Sequence, residues 1–336
     1  MKISFFEQMD CYRPGIPFAD LRNTATERVK LAEKLGFDCF YISQHYFSGL
    51  GTCSSPYIFL AGLAKETSRI KLGVAVTPLH LVHPVQLAAD ALELDALSGG
   101  RFVLGLGSGV DKAAFKNFNM TYPDSSEKVI EAYKYKLDVF TQTVISTLSS
   151  GQKSIDQKIG ESNSLSLSIP THADFLDRIY LASVRKETTI HIGKHGFNLM
   201  ISPFEFFNST HNDLTQAIKF YREGFTQAEQ KHSSGKVSAL IKCCIGQNPG
   251  KEQVAKVCFN FFKNTLNSLE GEKKVDFYEL AKHKSQGIFG SKDQIKSFMH
   301  MLSEAGVDEV ILMMTLGNMP SSIVEYGMEA VMSEMS

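Results

Sequence analysis

Histidines that exchange protons near neutral pH, and clusters of hydroxyls and cations that can hold an anion, are the parts of this sequence equipped for chemistry. His45 stands first, within Ser43-Gln-His-Tyr-Phe47. Imidazole titrates close to neutral pH, which general acid or base work requires. By residue type alone, His45 reads equally well as a hydrogen-bonded structural histidine. A second cluster runs from Ser183 through Val184, Arg185 and Lys186 to Thr188 and Thr189. It lies where a strand-like run meets a helix-like one. Hydroxyls, cations and the free N–H groups of a helix start together suit a phosphate. The plainer reading is a capped helix with a solvated basic face. Gly105-x-Gly107-x-Gly109, with Ser108 inside it, suits either close backbone approach to a ligand or a tight turn. It is not the dinucleotide fingerprint G-x-G-x-x-G, because residue 110 is Val.

Composition and spacing argue against other chemistries. His191 and His195 sit four apart and His80 and His83 three apart, but neither pair has an evident carboxylate or cysteine partner, so no metal site is expected. The G-x-S-x-G elbow of α/β-hydrolases is missing. Six cysteines without C-x-x-C spacing read as reduced, buried thiols of a cytoplasmic protein. Lys+Arg 35 against Asp+Glu 36 leaves a net charge of -1 with no basic block, so no nucleic-acid partner is expected. No apolar run approaches a membrane span, and the N-terminus does not read as a signal peptide or anchor.

Eight apolar runs have the character of strands buried on both faces: Ile3–Phe6, Asp38–Ile42, Ile70–Val76, Arg101–Leu106, Ile179–Ala182, Phe197–Ile201, Val237–Ile245 and Glu309–Met313. Helical patterns separate them, at about 21–36, 56–65, 84–97, 127–148, 187–195, 213–231, 252–269, 292–305 and 323–335. Strands alternating with helices imply parallel pairing, and eight such units predict a (β/α)8 TIM barrel. A barrel accommodates 336 residues as one domain, 1–336. The Ser/Gly/Asn-rich stretch 149–168 predicts a mobile insertion or lid. Barrel active sites lie at the C-terminal ends of the strands. That rule gathers Glu7, His45, His80, the glycine cluster, the Ser183–Thr189 segment and Ser202 at one mouth.

Five segments together resemble the bacterial luciferase-like flavin monooxygenases. They are Ala32-Glu-Lys-Leu-Gly-Phe-Asp38 with Ser43-Gln-His-Tyr-Phe47; Arg69-Ile-Lys-Leu-Gly73; His83-Pro-Val-Gln-Leu-Ala88 leading to Leu94 through Gly109; Tyr180-Leu-Ala-Ser183 with Glu187-Thr-Thr189 and Gly196; and Gly290-Ser-Lys-Asp-Gln-Ile295 with Glu304-Ala-Gly-Val-Asp308. The resemblance implies the same barrel. It also implies reduced FMN, or in some branches F420, at the strand C-termini. FMN members activate O2 as a flavin peroxide that oxygenates an organic substrate, here a small to medium apolar one. His45 matches the histidine that assists this chemistry, while the family's adjacent glutamate and second histidine are Gln44 and Tyr46. Phe6 matches an aromatic beside the flavin ring. Val74 and Ala75 match a non-proline cis peptide beneath it. Gly107, Ser108, Ser183, Val184, Arg185, Thr188, Thr189 and Ser202 complete the implied cofactor set. Ser108 stands where luciferase has a phosphate-binding arginine, so Arg185 is expected to supply the cation. The resemblance further implies a separate flavin reductase and a homodimer or luciferase-like heterodimer paired near the second and third strands. Two other readings stand beside it: an F420-dependent hydride-transfer enzyme, and a non-catalytic flavin-binding partner subunit.

Overall fold

The computed structural model describes residues 1–10, 17–47, 51–109, 112–150, 166–167, 169–183, 186–202, 211–246, 287–290, 292–315 and 319–335. The strands are β1 Lys2–Glu7, β2 Cys39–Ile42, β3 Lys71–Pro78, β4 Phe102–Gly107, β5 Ile179–Ser183, β6 Asn198–Ile201, β7 Val237–Ile245, β8 Gly287–Gly290 and β9 Glu309–Met313. The helices are α1 Phe18–Leu35, α2 Pro56–Glu66, α3 Pro84–Leu97, α4 Lys112–Asn117, α5 Ser126–Ser150, α6 Lys186–Lys194, α7 His211–Thr226, α8 Ile295–Glu304 and α9 Ser321–Met335.

All pairing is parallel. Strands β1 to β7 follow one another, and β9 closes the ring between β7 and β1. The register fixes the barrel's type. Pairing runs Lys242–Met313–Phe6–Tyr41–Gly73–Val103. Extending the remaining registers carries Val103 on to Arg178, Gly196 and Ser234. One circuit from Lys242 therefore returns at Ser234, a shift of eight residues, as in the eight-stranded TIM barrel. The expected eight barrel strands are all present. Two elements were not foreseen: the single-turn-scale α4, and β8, which extends the sheet along the far end of β7. The predicted helix 252–269 lies outside the described residues, as do 151–165 and 168 of the predicted lid.

Local signals explain the boundaries. Gly36 ends α1 in the left-handed region, at φ 90°, and its N–H bonds back to Ala32 and Glu33. Pro84 opens α3 at a position where no N–H partner is needed. Alternation along each strand builds two cores. Phe5, Phe40, Leu72, Leu104, Leu181, Leu199 and Ile241 face outward into the helix layer. Phe6, Tyr41, Val103, Tyr180, Met200 and Ile311 fill the barrel itself.

Polar groups concentrate at the N-terminal floor. Glu309 accepts hydrogen bonds from Ser4 Oγ (2.5 Å), Ser238 Oγ (2.5 Å) and the Tyr41 hydroxyl (3.3 Å). Burial pushes the Tyr41 phenol well above its usual range, so it stays a donor. Outside the floor, Asp95 on α3 is 1% exposed at its side chain and pairs with buried Arg178 and with His172 Nδ1 at 2.9 Å. Arg178 also donates to the Phe102 carbonyl at 2.8 Å, tying α3 to β4 and β5. Asp95→Ala would leave that buried guanidinium with only the exposed Asp174 carboxylate, at 3.0 Å. It should lower unfolding free energy by about 3–5 kcal/mol, read from the urea midpoint.

Candidate active site

The mouth is assembled from the last residues of the strands. Phe6 faces into the barrel and is 2% exposed. Beside it, β3 changes register between Val74 and Thr77, and the peptide joining Ala75 to Val76 is cis. This is one residue later than the resemblance implied. The Val74 side chain lies in the outer core, while Ala75 and Val76 pack against the inner one. The inner wall beyond is made of small residues. A Cβ on Gly107 would come within 2.6 Å of Val76 Cγ2, and one on Gly105 within 3.3 Å of Met200 Sδ. Ala182 continues the wall on β5. No side chain longer than valine rises from Ala75, Val76, Gly105, Gly107 or Ala182, so a flat apolar ring has a surface to lie on.

Rim contacts hold the surrounding loops. Gly109 sits at φ 65°, and any Cβ there would strike Pro78. The Ser108 carbonyl accepts the backbone N–H of His80 at 3.3 Å and faces its Nδ1, while His80 Nε2 faces the Val129 carbonyl at 3.0 Å. His80 thus fastens the β4 rim to α5 rather than facing a ligand. Ser108 itself is exposed. At β5, Ser183 is buried and its hydroxyl meets that of exposed Thr188 near the start of α6. Ser202 N–H donates to the Ser183 carbonyl at 3.3 Å. Thr189, by contrast, is fully buried and donates to the Ala217 carbonyl at 2.8 Å, so its hydroxyl braces α6 against α7. Val184 and Arg185 lie outside the described residues. Glu7 points away from the mouth, locked to Arg28 at 2.9 Å and to the Met9 N–H at 3.0 Å.

His45 is half-buried just beyond β2, and its N–H donates to the Cys53 carbonyl at 3.2 Å. The returning chain presses on it. Gly51 has φ 72°, and a Cβ there would lie 2.7 Å from His45 Cδ2 and 2.8 Å from Ser43 Oγ. Asp10 accepts the Gly51 N–H at 3.0 Å. Ser43 is 3% exposed and its hydroxyl has no hydrogen-bond partner among the described residues. Gln44 turns outward: Nε2 donates to the Tyr46 hydroxyl at 2.6 Å and the Ser54 carbonyl at 3.1 Å. Burial raises the Tyr46 phenol against the opposing Gln44 bond, and it pushes the Cys53 thiol up to about 11, which keeps that thiol protonated. Among the described residues, no group of three His, Cys, Asp or Glu side chains is set to hold a metal.

Sequence reasoning passed over Gly51, Ala182 and the inward residues of β7. Alternation along β7 was a usable signal for the last of these; nothing local marked Gly51.

The chain's likeness to known proteins agrees with this architecture. The family model described as luciferase-like monooxygenase matches residues 7–309. The chain belongs to the luciferase-like monooxygenase family. It is 24% identical over 237 residues to the alkanal monooxygenase alpha chain of Photobacterium leiognathi, covering 70% of this chain and 63% of that one. Over 83 residues it is 41% identical to 4-hydroxyprotoasukamycin monooxygenase of Streptomyces nodosus subsp. asukaensis, covering 25% and 22% respectively. The chain thus matches less than two thirds of the length of either relative. Among solved structures, monooxygenase RslO1 from Streptomyces bottropensis superposes with a TM-score of 0.78 at 16% identity, covering 100% and 98%. The FMN complex of the oxygenating constituent of 3,6-diketocamphane monooxygenase from Pseudomonas putida gives 0.72 at 13%, covering 99% and 97%. The F420-dependent tetrahydromethanopterin reductase of Methanopyrus kandleri gives 0.69 at 20%, covering 99% and 98%.

Gly51→Ala should place a methyl group against His45 in a backbone conformation that disfavours it. The expected cost is about 1–3 kcal/mol in urea unfolding, together with displaced His45 imidazole resonances in NMR spectra. Unmoved resonances would show that Gly51 does not position the ring.

Proposed function

We propose that this protein is an FMNH2-dependent monooxygenase that places one atom of O2 into an organic substrate and releases the other as water. The small-residue wall of β3, β4 and β5 carries the reading: it suits a planar isoalloxazine, and His45 follows β2, the strand paired with β3. Phe6, Ala75 and Gly107 would contact the ring. Ser108, Ser183, Val184, Arg185, Thr188 and Ser202 would receive the phosphate end, where hydroxyls meet the start of α6. Val74 and Thr189 are left with supporting roles, since their side chains are committed elsewhere. Reduced flavin bound there supplies the two electrons that activate O2. His45 holds or moves the proton this chemistry needs, and the apolar interior keeps bulk water away. No nicotinamide fingerprint is evident in the sequence, so a separate reductase supplies the reduced flavin.

The same reading includes a dimer. A cavity of about 460 Å³ runs between α2 and α3. Ile58, 77% exposed, and Leu97, 41% exposed, project from its walls. A knob and a groove on one face suit a two-fold contact with a second copy or a homologous subunit. Ile58→Glu should shift the protein toward monomer in light scattering. Buried free thiols at Cys39, Cys53, Cys243 and Cys244 support a cytoplasmic setting, and among the described residues no helix is long and apolar enough to cross a membrane.

The decisive experiment loads the protein with reduced FMN without oxygen and then mixes it with O2. Bound flavin should reoxidise more slowly than free flavin, and His45→Ala should lose that protection. Reoxidation at the free-flavin rate would overturn the monooxygenase reading in favour of a partner subunit, and selective binding of F420 in favour of hydride transfer. Arg185→Ala should weaken FMN about tenfold to a hundredfold, the worth of a charge-assisted hydrogen bond, and leave riboflavin within about twofold. Equal weakening of both in a fluorescence titration would remove Arg185 from the phosphate site.

A further inference from the structure

Strand β3 carries two residues where its neighbour carries one. Val74 pairs with Leu104 and Thr77 with Leu106, so Ala75 and Val76 together stand against Gly105. Such a bulge bends a strand and re-aims the side chains within it. Here both side chains turn to the inner cluster. The bulge is crowded: a Cβ on Gly105 would lie 2.8 Å from the Val74 carbonyl oxygen and 3.0 Å from Val76 Cγ1. Gly107 meets Val76 Cγ2 in the same way, at 2.6 Å. The placement of Val76 therefore sets the level of the small-residue wall.

Pairing with β4 is interrupted at the bulge and resumes at Thr77. Thr77 is fully buried, and its Oγ1 lies 2.7 Å from the Tyr57 hydroxyl. Tyr57 comes from the first turn of α2, outside the barrel. Its ring packs on Phe102 of β4, with centroids 5.8 Å apart. Leu60 and Leu63 anchor α2 in the outer core. Burial pushes the Tyr57 phenol far above its usual range, so it stays protonated. Deleting one partner of a buried hydroxyl pair leaves the other unsatisfied, which makes the bond costly to break. It forms a strut from the helix layer to the first paired residue beyond the bulge.

We propose that Tyr57 is a positioning residue for the flavin: through Thr77 it fixes the bulge that aims Val76 into the barrel, and with it the seat on which the ring lies. This rests on the monooxygenase reading for the identity of the ligand. It adds a residue of the helix layer to those that decide how the ring is held.

Tyr57→Phe removes one oxygen and keeps the ring on Phe102. Fluorescence titration of the full chain with FMN reads the seat, at a temperature where thermal unfolding shows every variant folded. Tyr57→Phe should weaken FMN about threefold to tenfold, the worth of one hydrogen bond, and shift the absorption bands of the bound flavin. Thr77→Val should do the same. The double variant should bind no more weakly than either single one, because both remove the same bond. Thr77→Ser keeps the hydroxyl and should bind as wild type does. A bond that serves stability alone would lower the unfolding temperature and leave the affinity and spectrum of the folded protein unchanged. That result in Tyr57→Phe would overturn the proposal, as would additive losses in the double variant or Thr77→Ser behaving like Thr77→Val. Equal FMN binding by wild type and Tyr57→Phe would overturn it alone, whereas a wild type that binds no FMN would overturn it together with the monooxygenase reading.

Discussion

Closure of eight parallel strands, with a shift of eight residues per circuit, sets which side chains can share the barrel's interior. Once the ring is closed, no strand can slide without moving every inward residue out of its layer. The floor then has a defined content: Glu309, Ser4, Ser238 and Tyr41 meet only because that register brings four strands to one height. Above them Met200 and Ile311 fill the middle. Above those, the residues of β3, β4 and β5 shrink to alanine, valine and glycine, and the interior opens. The floor is thus tied together by hydrogen bonds to one carboxylate, whereas the mouth presents small apolar surfaces. That gradient is what makes one end of the barrel a structural plug and the other a site.

The strands were legible because burial on both faces writes them as unbroken apolar runs. Ile179–Ser183 and Glu309–Met313 could hardly be read otherwise. β8 was not legible: Gly287-Ile-Phe-Gly290 is four residues long with glycine at both ends, and it exists only as an extension along β7. α4 is too short to display a period. Within the site, position relative to a strand end predicted the region but not the direction of a side chain. Val74 and Val76 are equivalent as letters, and the register change between Val74 and Thr77 decides which of them reaches the interior. Thr188 and Thr189 are likewise adjacent and alike, yet one meets Ser183 near the start of α6 and the other is consumed by Ala217 of α7. Those choices depend on tertiary packing that no local pattern encodes.

Departures from the family pattern acquire a physical account in the same way. Gln44 and Tyr46, which replace a carboxylate and an imidazole, form a hydrogen-bonded pair that also engages the Ser54 carbonyl. That pair is neutral, whereas further along the same loop the Asp10 carboxylate accepts the Gly51 N–H. Beside this pair, the His45 N–H donates to the Cys53 carbonyl and Gly51 closely approaches the His45 ring.

The three residues after β2 look in different directions. Ser43 and His45 gather around Gly51, whereas Gln44 lines the cavity between α2 and α3, and its Oε1 has no partner among the described residues. A single stretch of backbone thus belongs to an outer surface and to the edge of an inner chamber. A group that bonds the Gln44 amide from outside acts one peptide away from His45. Were occupancy of the outer groove to alter the affinity of the barrel, thermodynamic reciprocity would require the barrel's occupant to alter that of the groove by the same factor.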